Sequence, residues 1–90
     1  MTMTRTLLFS DGTELPIRSC GLTAVSLWIE AETDIYTAVP LFSDPERLAL
    51  LVDHTVSDGQ ELRRVEFDGY TALKSLQADG TKVLVCLAKE

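Results

Sequence analysis

Short runs of alternating apolar and polar residues, separated by turn residues, indicate a protein built mainly of β-strands. Four Asp-Gly pairs interrupt the chain, and Asp-Gly favours tight hairpin turns because both residues tolerate positive φ. The pairs occupy positions 11–12, 58–59, 68–69 and 79–80. The predicted strands are residues 6–9, 15–20, 22–30, 52–56, 61–67, 70–76 and 82–89.

The third and the last of these predicted strands carry apolar residues on both faces. In the third strand Leu27 and Ile29 share one face and Trp28 lies on the other. Strands of this kind are typically internal to a sheet or covered on both sides, and we expect the C-terminal strand to be internal. We interpret Trp28 as a core residue, with an anchor for a partner as the alternative.

The sequence SDPE at 43–46 matches the S-x-x-E capping box, with proline placed early in the helix where its missing N–H costs nothing. It predicts a helix that starts there and ends at about Leu51. Asp34 is a second candidate cap, for a short turn over 35–39. In the second predicted strand Pro16 cannot donate to a ladder, so this strand is expected to lie at an edge or to carry an irregularity.

The composition is that of an ordinary globular protein. Of 90 residues, 46% are apolar and 24% charged, which argues against a disordered or low-complexity chain. A chain of this length builds one small core. We therefore expect a single domain over residues 1–90, of the α+β class, strand-dominated, with mostly antiparallel hairpins and one short central helix.

The charge balance limits the possible partners. Fourteen acidic residues against eight basic ones give a net charge of −6, which disfavours direct nucleic-acid binding and anionic membrane surfaces. The longest uncharged stretch, 19–29, is too short to span a bilayer, and the uncharged run 6–10 is too short for a signal peptide. We expect a cytoplasmic protein that does not bind membranes.

The chemistry-bearing residues form no recognisable catalytic, cofactor or metal motif. His54 is the only histidine, and neighbouring residues on a strand face opposite sides, so it makes no dyad with Asp53. Phosphate-binding glycine loops are absent, and one histidine with two distant cysteines is no zinc set. We predict no enzyme activity and no cofactor. Cys20 and Cys86 are interpreted as reduced, buried residues, with a disulfide as the alternative.

Two segments are candidates for a protein interface. Tyr36, Leu41 and Phe42 crowd into an apolar segment without a clean period, which either plugs the sheet or meets a partner. Because association would bury this segment between subunits, we predict a homo-oligomer, most simply a two-fold dimer. Arg63 and Arg64 lie near aromatic residues, a composition typical of interface hot spots, with a solvated strand as the alternative.

Four stretches together resemble short uncharacterised proteins encoded in prophages of Gram-positive gut bacteria. They are LFSDGTEL at 8–15, LFSDPER at 41–47, FDGYTAL at 67–73 and VLVCL at 83–87. The resemblance implies a phage-associated, non-enzymatic protein located in the host cytoplasm or in the virion. We expect a binding or assembly module, a minor virion or tail-associated component.

The alternative is a small inhibitor of a host defence protein, of the anti-CRISPR kind. In that role an acidic surface would imitate nucleic-acid phosphates. The acidic residues are scattered singly among the turns, apart from one short cluster over 30–34, so their spacing gives this alternative little support.

Overall fold

A computed structural model describes residues 3–89, and most of these residues belong to one β-sheet. Within this range the elements are β1 (Met3–Leu8), β2 (Glu14–Leu22), β3 (Ser26–Ala31), α1 (Ile35–Phe42), a 3-10 turn (Arg47–Ala49), β4 (Val52–Ser57), β5 (Gln60–Glu66), β6 (Ala72–Asp79) and β7 (Lys82–Ala88). The predicted α+β class, strand-dominated with one short helix, is confirmed. The single-domain prediction also spans residues 1, 2 and 90, which lie outside the described residues.

The seven strands form an antiparallel sheet in the order β5-β4-β1-β2-β3-β7-β6. The turn between β4 and β5 is the predicted Asp58-Gly59 pair, with φ of 52° and 78°, the positive values that a two-residue hairpin turn requires. The strand β7 lies between β3 and β6, so the predicted internal position of the C-terminal strand is confirmed.

The second strand is internal and carries an irregularity, which is the second of the two expected alternatives. Its first half pairs with β1 and its second half with β3. The register shifts between Ile17 and Ser19, which makes Arg18 the extra residue of a bulge. The carbonyl of Pro16 accepts a hydrogen bond from the N–H of Glu32 at 3.0 Å, next to this bulge.

The helix forms earlier in the chain than the capping box predicts. It begins after Asp34, whose carboxylate accepts a hydrogen bond from the N–H of Thr37 at 2.7 Å, and it continues through Pro40. Ser43 is the C-cap of this helix, and the N–H of Glu46 donates to Asp44 at 3.0 Å. The predicted helix from 43 to about 51 is therefore wrong.

The remaining segment is too short for a second helix. The strand β4 starts at Val52, where it pairs with Leu8, and the carbonyl of Leu51 accepts from the N–H of Phe67 at 2.8 Å. Between the end of α1 and this fixed point the chain makes only the single 3-10 turn, which buries Leu48.

The core lies on the face of the sheet that α1 covers. Leu27, Ile29 and other inward residues alternate along the strands and are almost fully buried. The helix packs against β6 and β7 and contributes its buried residues at i, i+3 and i+4: Ala38, Leu41 and Phe42. The Phe42 ring meets Phe9 edge-on, with centroids 5.4 Å apart, and this contact ties the helix to the first hairpin.

Candidate protein-binding face

The only tryptophan projects from the face of the sheet opposite the core. Trp28 alternates along β3 with Leu27 and Ile29, which are 0% and 2% exposed. Because successive side chains of a strand point to opposite faces, Trp28 is directed outward and is 51% exposed. Its interpretation as a core residue is wrong.

A hollow lies beside the indole ring. The cross-strand neighbour of Trp28 on β2 is Gly21, where an added Cβ would meet no atom within 4 Å. The hollow has a volume of about 320 Å³, and Leu84 of β7 lies on its far side. A large aromatic group next to an open, partly apolar hollow is the usual geometry of an interface anchor.

Polar groups border this hollow. The Glu30 carboxylate lies 2.6 Å from Nζ of Lys82 and accepts a hydrogen bond from the Ser19 hydroxyl at 3.0 Å. The hydrogen bond from Lys82, followed by that from Ser19, lowers the pKa of Glu30 below its ordinary value. An apolar centre with a charged, hydrogen-bonded rim is the arrangement found in protein interfaces. We call Ser19, Gly21, Trp28, Glu30, Lys82 and Leu84 the Trp28 face.

The structure separates the three interface candidates of the apolar segment. Tyr36 is 87% exposed, but Leu41 and Phe42 are 8% and 0% exposed because they lie on the helix face that packs on the sheet. Leu41 and Phe42 are therefore core residues, which corrects their assignment to an interface. An interface role of Tyr36 stays a prediction.

The two candidate arginines lie far from both Tyr36 and Trp28. Arg63 and Arg64 are on β5, the edge strand of the sheet, and both are exposed. They point to opposite faces, and Arg64 lies 3.5 Å from the carboxylate of Glu66. Their interface role also stays a prediction.

The structure contains a buried ion pair between Arg5 and Asp53 that was not predicted from the sequence. Asp53 of β4 is 0% exposed, and Arg5 of β1 holds its carboxylate through Nη2 at 2.6 Å and Nε at 3.1 Å. Burial raises the pKa of Asp53, but the hydrogen bond and charge of Arg5 outweigh burial, so the net shift is downward. The partners are 48 positions apart, and no local pattern links them.

The thiol of Cys20 completes this cluster, 3.2 Å from Nη2 of Arg5 and 3.4 Å from Asp53. Burial, followed by the charge of Asp53, raises the pKa of Cys20, so the thiol stays protonated and unreactive. Cys20 pairs with the core residue Ile29, whereas Cys86 pairs with the outward Trp28. The cysteines therefore lie on opposite faces and are both free, which excludes the disulfide alternative.

The remaining chemistry of the described residues is sparse. Nε2 of His54 lies 3.1 Å from Oε2 of Glu61 but is not aligned for a hydrogen bond. No three His, Cys, Asp or Glu side chains between residues 3 and 89 are placed to hold a metal ion. In the same range no helix is long and apolar enough to cross a membrane.

The fold and the Trp28 face define a small antiparallel sheet protein with one covering helix and an exposed aromatic group on an internal strand. Comparisons with family models, curated proteins and solved structures find no match to the chain.

Proposed function

We propose that this protein is a non-enzymatic binding module of a phage, a minor virion or tail-associated component that assembles through the Trp28 face. The observation that carries the proposal is the half-exposed Trp28 on an internal strand, beside the hollow above Gly21. The sequence resemblance supplies the phage setting.

The energy of covering Trp28 is large enough to matter for binding. A tryptophan buries 150–250 Å² when enclosed, so covering its exposed half removes about 100 Å² from water. At 25 cal/mol per Å² this contributes about 2.5 kcal/mol from one side chain. Such a contribution is typical of a hot-spot residue, around which weaker polar contacts exclude water.

We propose a second copy of the chain as the partner of this face. A two-fold axis places Trp28 of each protomer over the hollow beside Gly21 of the other, so that protrusion and hollow complement each other. Within one chain Lys82 and Glu30 form an ion pair at the rim of this face, and we expect the opposite charges of two facing rims to attract each other in the proposed dimer. The proposed homo-oligomer therefore uses the Trp28 face rather than the segment 35–42.

The charge distribution favours this module over a nucleic-acid imitator. Four exposed or partly exposed carboxylates are paired with an arginine or a lysine, and a fifth, Asp53, is paired inside the protein, so these five present little free negative charge to a partner. The ion pairs within residues 3–89 include Arg5–Asp53, Arg18–Glu32, Arg47–Asp11, Arg64–Glu66 and Lys82–Glu30.

Light scattering at micromolar protein concentration tests self-association. We expect a dimer for the parent and monomers for Trp28→Ser and for Gly21→Leu, whose Cβ meets no atom within 4 Å and whose side chain would occupy the hollow. Tyr36→Ser, which removes an exposed aromatic ring elsewhere, is the matched control and stays dimeric. A monomeric parent, or dimers that survive both substitutions on the Trp28 face, would contradict the proposal.

The phage setting has its own test. Antibody detection in purified particles supports the virion role. Detection only in complex with a host defence protein, within infected cells, would favour the inhibitor instead.

A further inference from the structure

The strands β1 and β2 separate after a short ladder. They pair only at Leu8–Glu14, Leu7–Leu15 and Thr6–Pro16. Beyond these pairs, residues 3–5 of β1 remain paired with β4, and β2 pairs with β3 after its bulge. Each strand therefore presents an edge without a strand partner among the described residues, and the two edges face one another.

The separation opens a cleft of about 490 Å³. Its walls are residues 3–5 and 16–18, and Glu32 lies at its border. Backbone N–H and C=O groups along an unpaired strand edge bind another extended backbone through ladder hydrogen bonds. The chemistry of these walls is therefore that of a strand-addition site.

The side chain of Arg5 adds a fixed cation to the cleft. Its Nε and Nη2 are held by the buried carboxylate of Asp53, so the planar guanidinium is kept in one orientation. Nη1 donates no hydrogen bond to any residue from 3 to 89, and the side chain is 24% exposed. Two N–H donors thus remain for a carboxylate ligand.

Arg18 supplies a second cation at the border of the cleft. It lies 3.4 Å from Glu32, and both side chains are more than half exposed. A pair of this kind contributes little to stability, so an incoming carboxylate replaces Glu32 at small cost.

We propose that the cleft between β1 and β2 binds an extended, carboxylate-bearing peptide segment of a partner protein, which adds as a strand to residues 3–5 and places its carboxylate on Arg5. The cleft shares no lining residue with the hollow beside Trp28, so this is a second site beyond the proposed function. A nucleic-acid strand fits poorly because the cleft lining contains no aromatic side chain on which bases would stack.

The first test uses a display library of short random peptides with free carboxyl termini, selected on the intact protein. The best peptide is then synthesised and titrated by fluorescence anisotropy. N-methylation at one set of alternate residues is expected to weaken binding about tenfold, and methylation at the intervening residues is expected to leave it unchanged, because a strand directs alternate N–H groups to opposite sides. Converting the terminal carboxylate to an amide is also expected to weaken binding about tenfold.

Substitutions locate the peptide on the protein. The double variant Arg5→Met/Asp53→Leu removes the cation without leaving a buried unpaired charge and is expected to abolish the advantage of the carboxylate over the amide. Lys74→Met, which removes an exposed cation on β6, an edge strand of the sheet, and Trp28→Ser are expected to bind the peptide as the parent does. The Trp28→Ser control separates this site from the self-association surface.

Amide chemical shifts provide a readout that needs no variant. Peptide binding should move the signals of residues 3–5, Ile17 and Arg18, because Pro16 has no amide N–H. Failure of the library to yield a peptide, equal effects of the two N-methylation patterns, or shifts centred on Trp28 would each overturn the proposal.

Discussion

Removing Arg5 should destabilise the fold by leaving the Asp53 carboxylate buried without its partner. In the intact protein this carboxylate is 0% exposed and is held by two hydrogen bonds from the guanidinium. The substitution Arg5→Met keeps an unbranched apolar stem about as long as the arginine chain up to Nε and removes the charge and the donors.

The expected loss of stability follows from the burial of the two partners. Breaking a fully buried ion pair from one side costs about 3–5 kcal/mol. Arg5 is 24% exposed, so water partly reaches the site, and we expect about 2–4 kcal/mol. The double variant Arg5→Met/Asp53→Leu should recover most of this loss because it removes the unpaired charge as well.

The two variants and the parent are compared by urea denaturation followed with far-ultraviolet circular dichroism. The pH dependence gives an independent check. The pKa of Asp53 in the folded parent is below its ordinary value of 3.8, so its contribution to stability is present above about pH 4 and is lost as the pH falls through the folded pKa. In Arg5→Met burial raises this pKa, so the deficit relative to the parent should shrink as the pH falls towards 4.

The reasoning is refuted if Arg5→Met loses less than about 0.5 kcal/mol, the range of ordinary surface substitutions. It is also refuted if the double variant is as unstable as the single one, or if the deficit of Arg5→Met is independent of pH between neutrality and 4.

Three further predictions concern the cap, the cysteines and a turn. Asp34→Ala should lower the free energy of unfolding by about 1 kcal/mol, because the Asp34 side chain caps the start of the helix. Ser43→Ala should leave the free energy of unfolding unchanged. A larger loss for Ser43→Ala than for Asp34→Ala in urea titrations would show that the helix starts at Ser43 instead. Cys20 and Cys86 should react slowly with a thiol reagent in the native protein and rapidly, as two thiols, in denaturant without reductant. Gly59→Ala should lower the melting temperature because φ at this position is +78°, and an unchanged transition by calorimetry would contradict the strained-turn argument.

Local chemistry explains why the hairpins and the internal strands were predictable. The turn at Asp58-Gly59 needs only two residues that tolerate positive φ, and Asp-Gly is recognisable in the sequence as such a pair. The two-faced apolar pattern around Leu27 and along β7 favours an internal position in the sheet, whichever strands lie on either side. Neither inference depends on a partner distant in the chain.

The helix shows where local signals stop being sufficient. Both Asp34 and Ser43 carry acceptable cap chemistry, so the residues next to each cap do not decide between them. Packing favours the earlier helix, because this helix ends at Phe42 and places the ring against Phe9 in the core. A contact across more than thirty positions therefore overrides the stronger local motif.

The sites depend even more on tertiary structure. The sequence determined that this protein is a strand-rich α+β chain with tight Asp-Gly turns, because these features need interactions over only a few residues. Pairing of Leu7 with Asp53 brings Arg5 to its carboxylate, and pairing of Gly21 with Trp28 leaves the hollow beside the indole. The register between strands is set by the summed burial of the whole core, and a shift of one residue would reverse every side chain, so only the complete fold decided which residues meet.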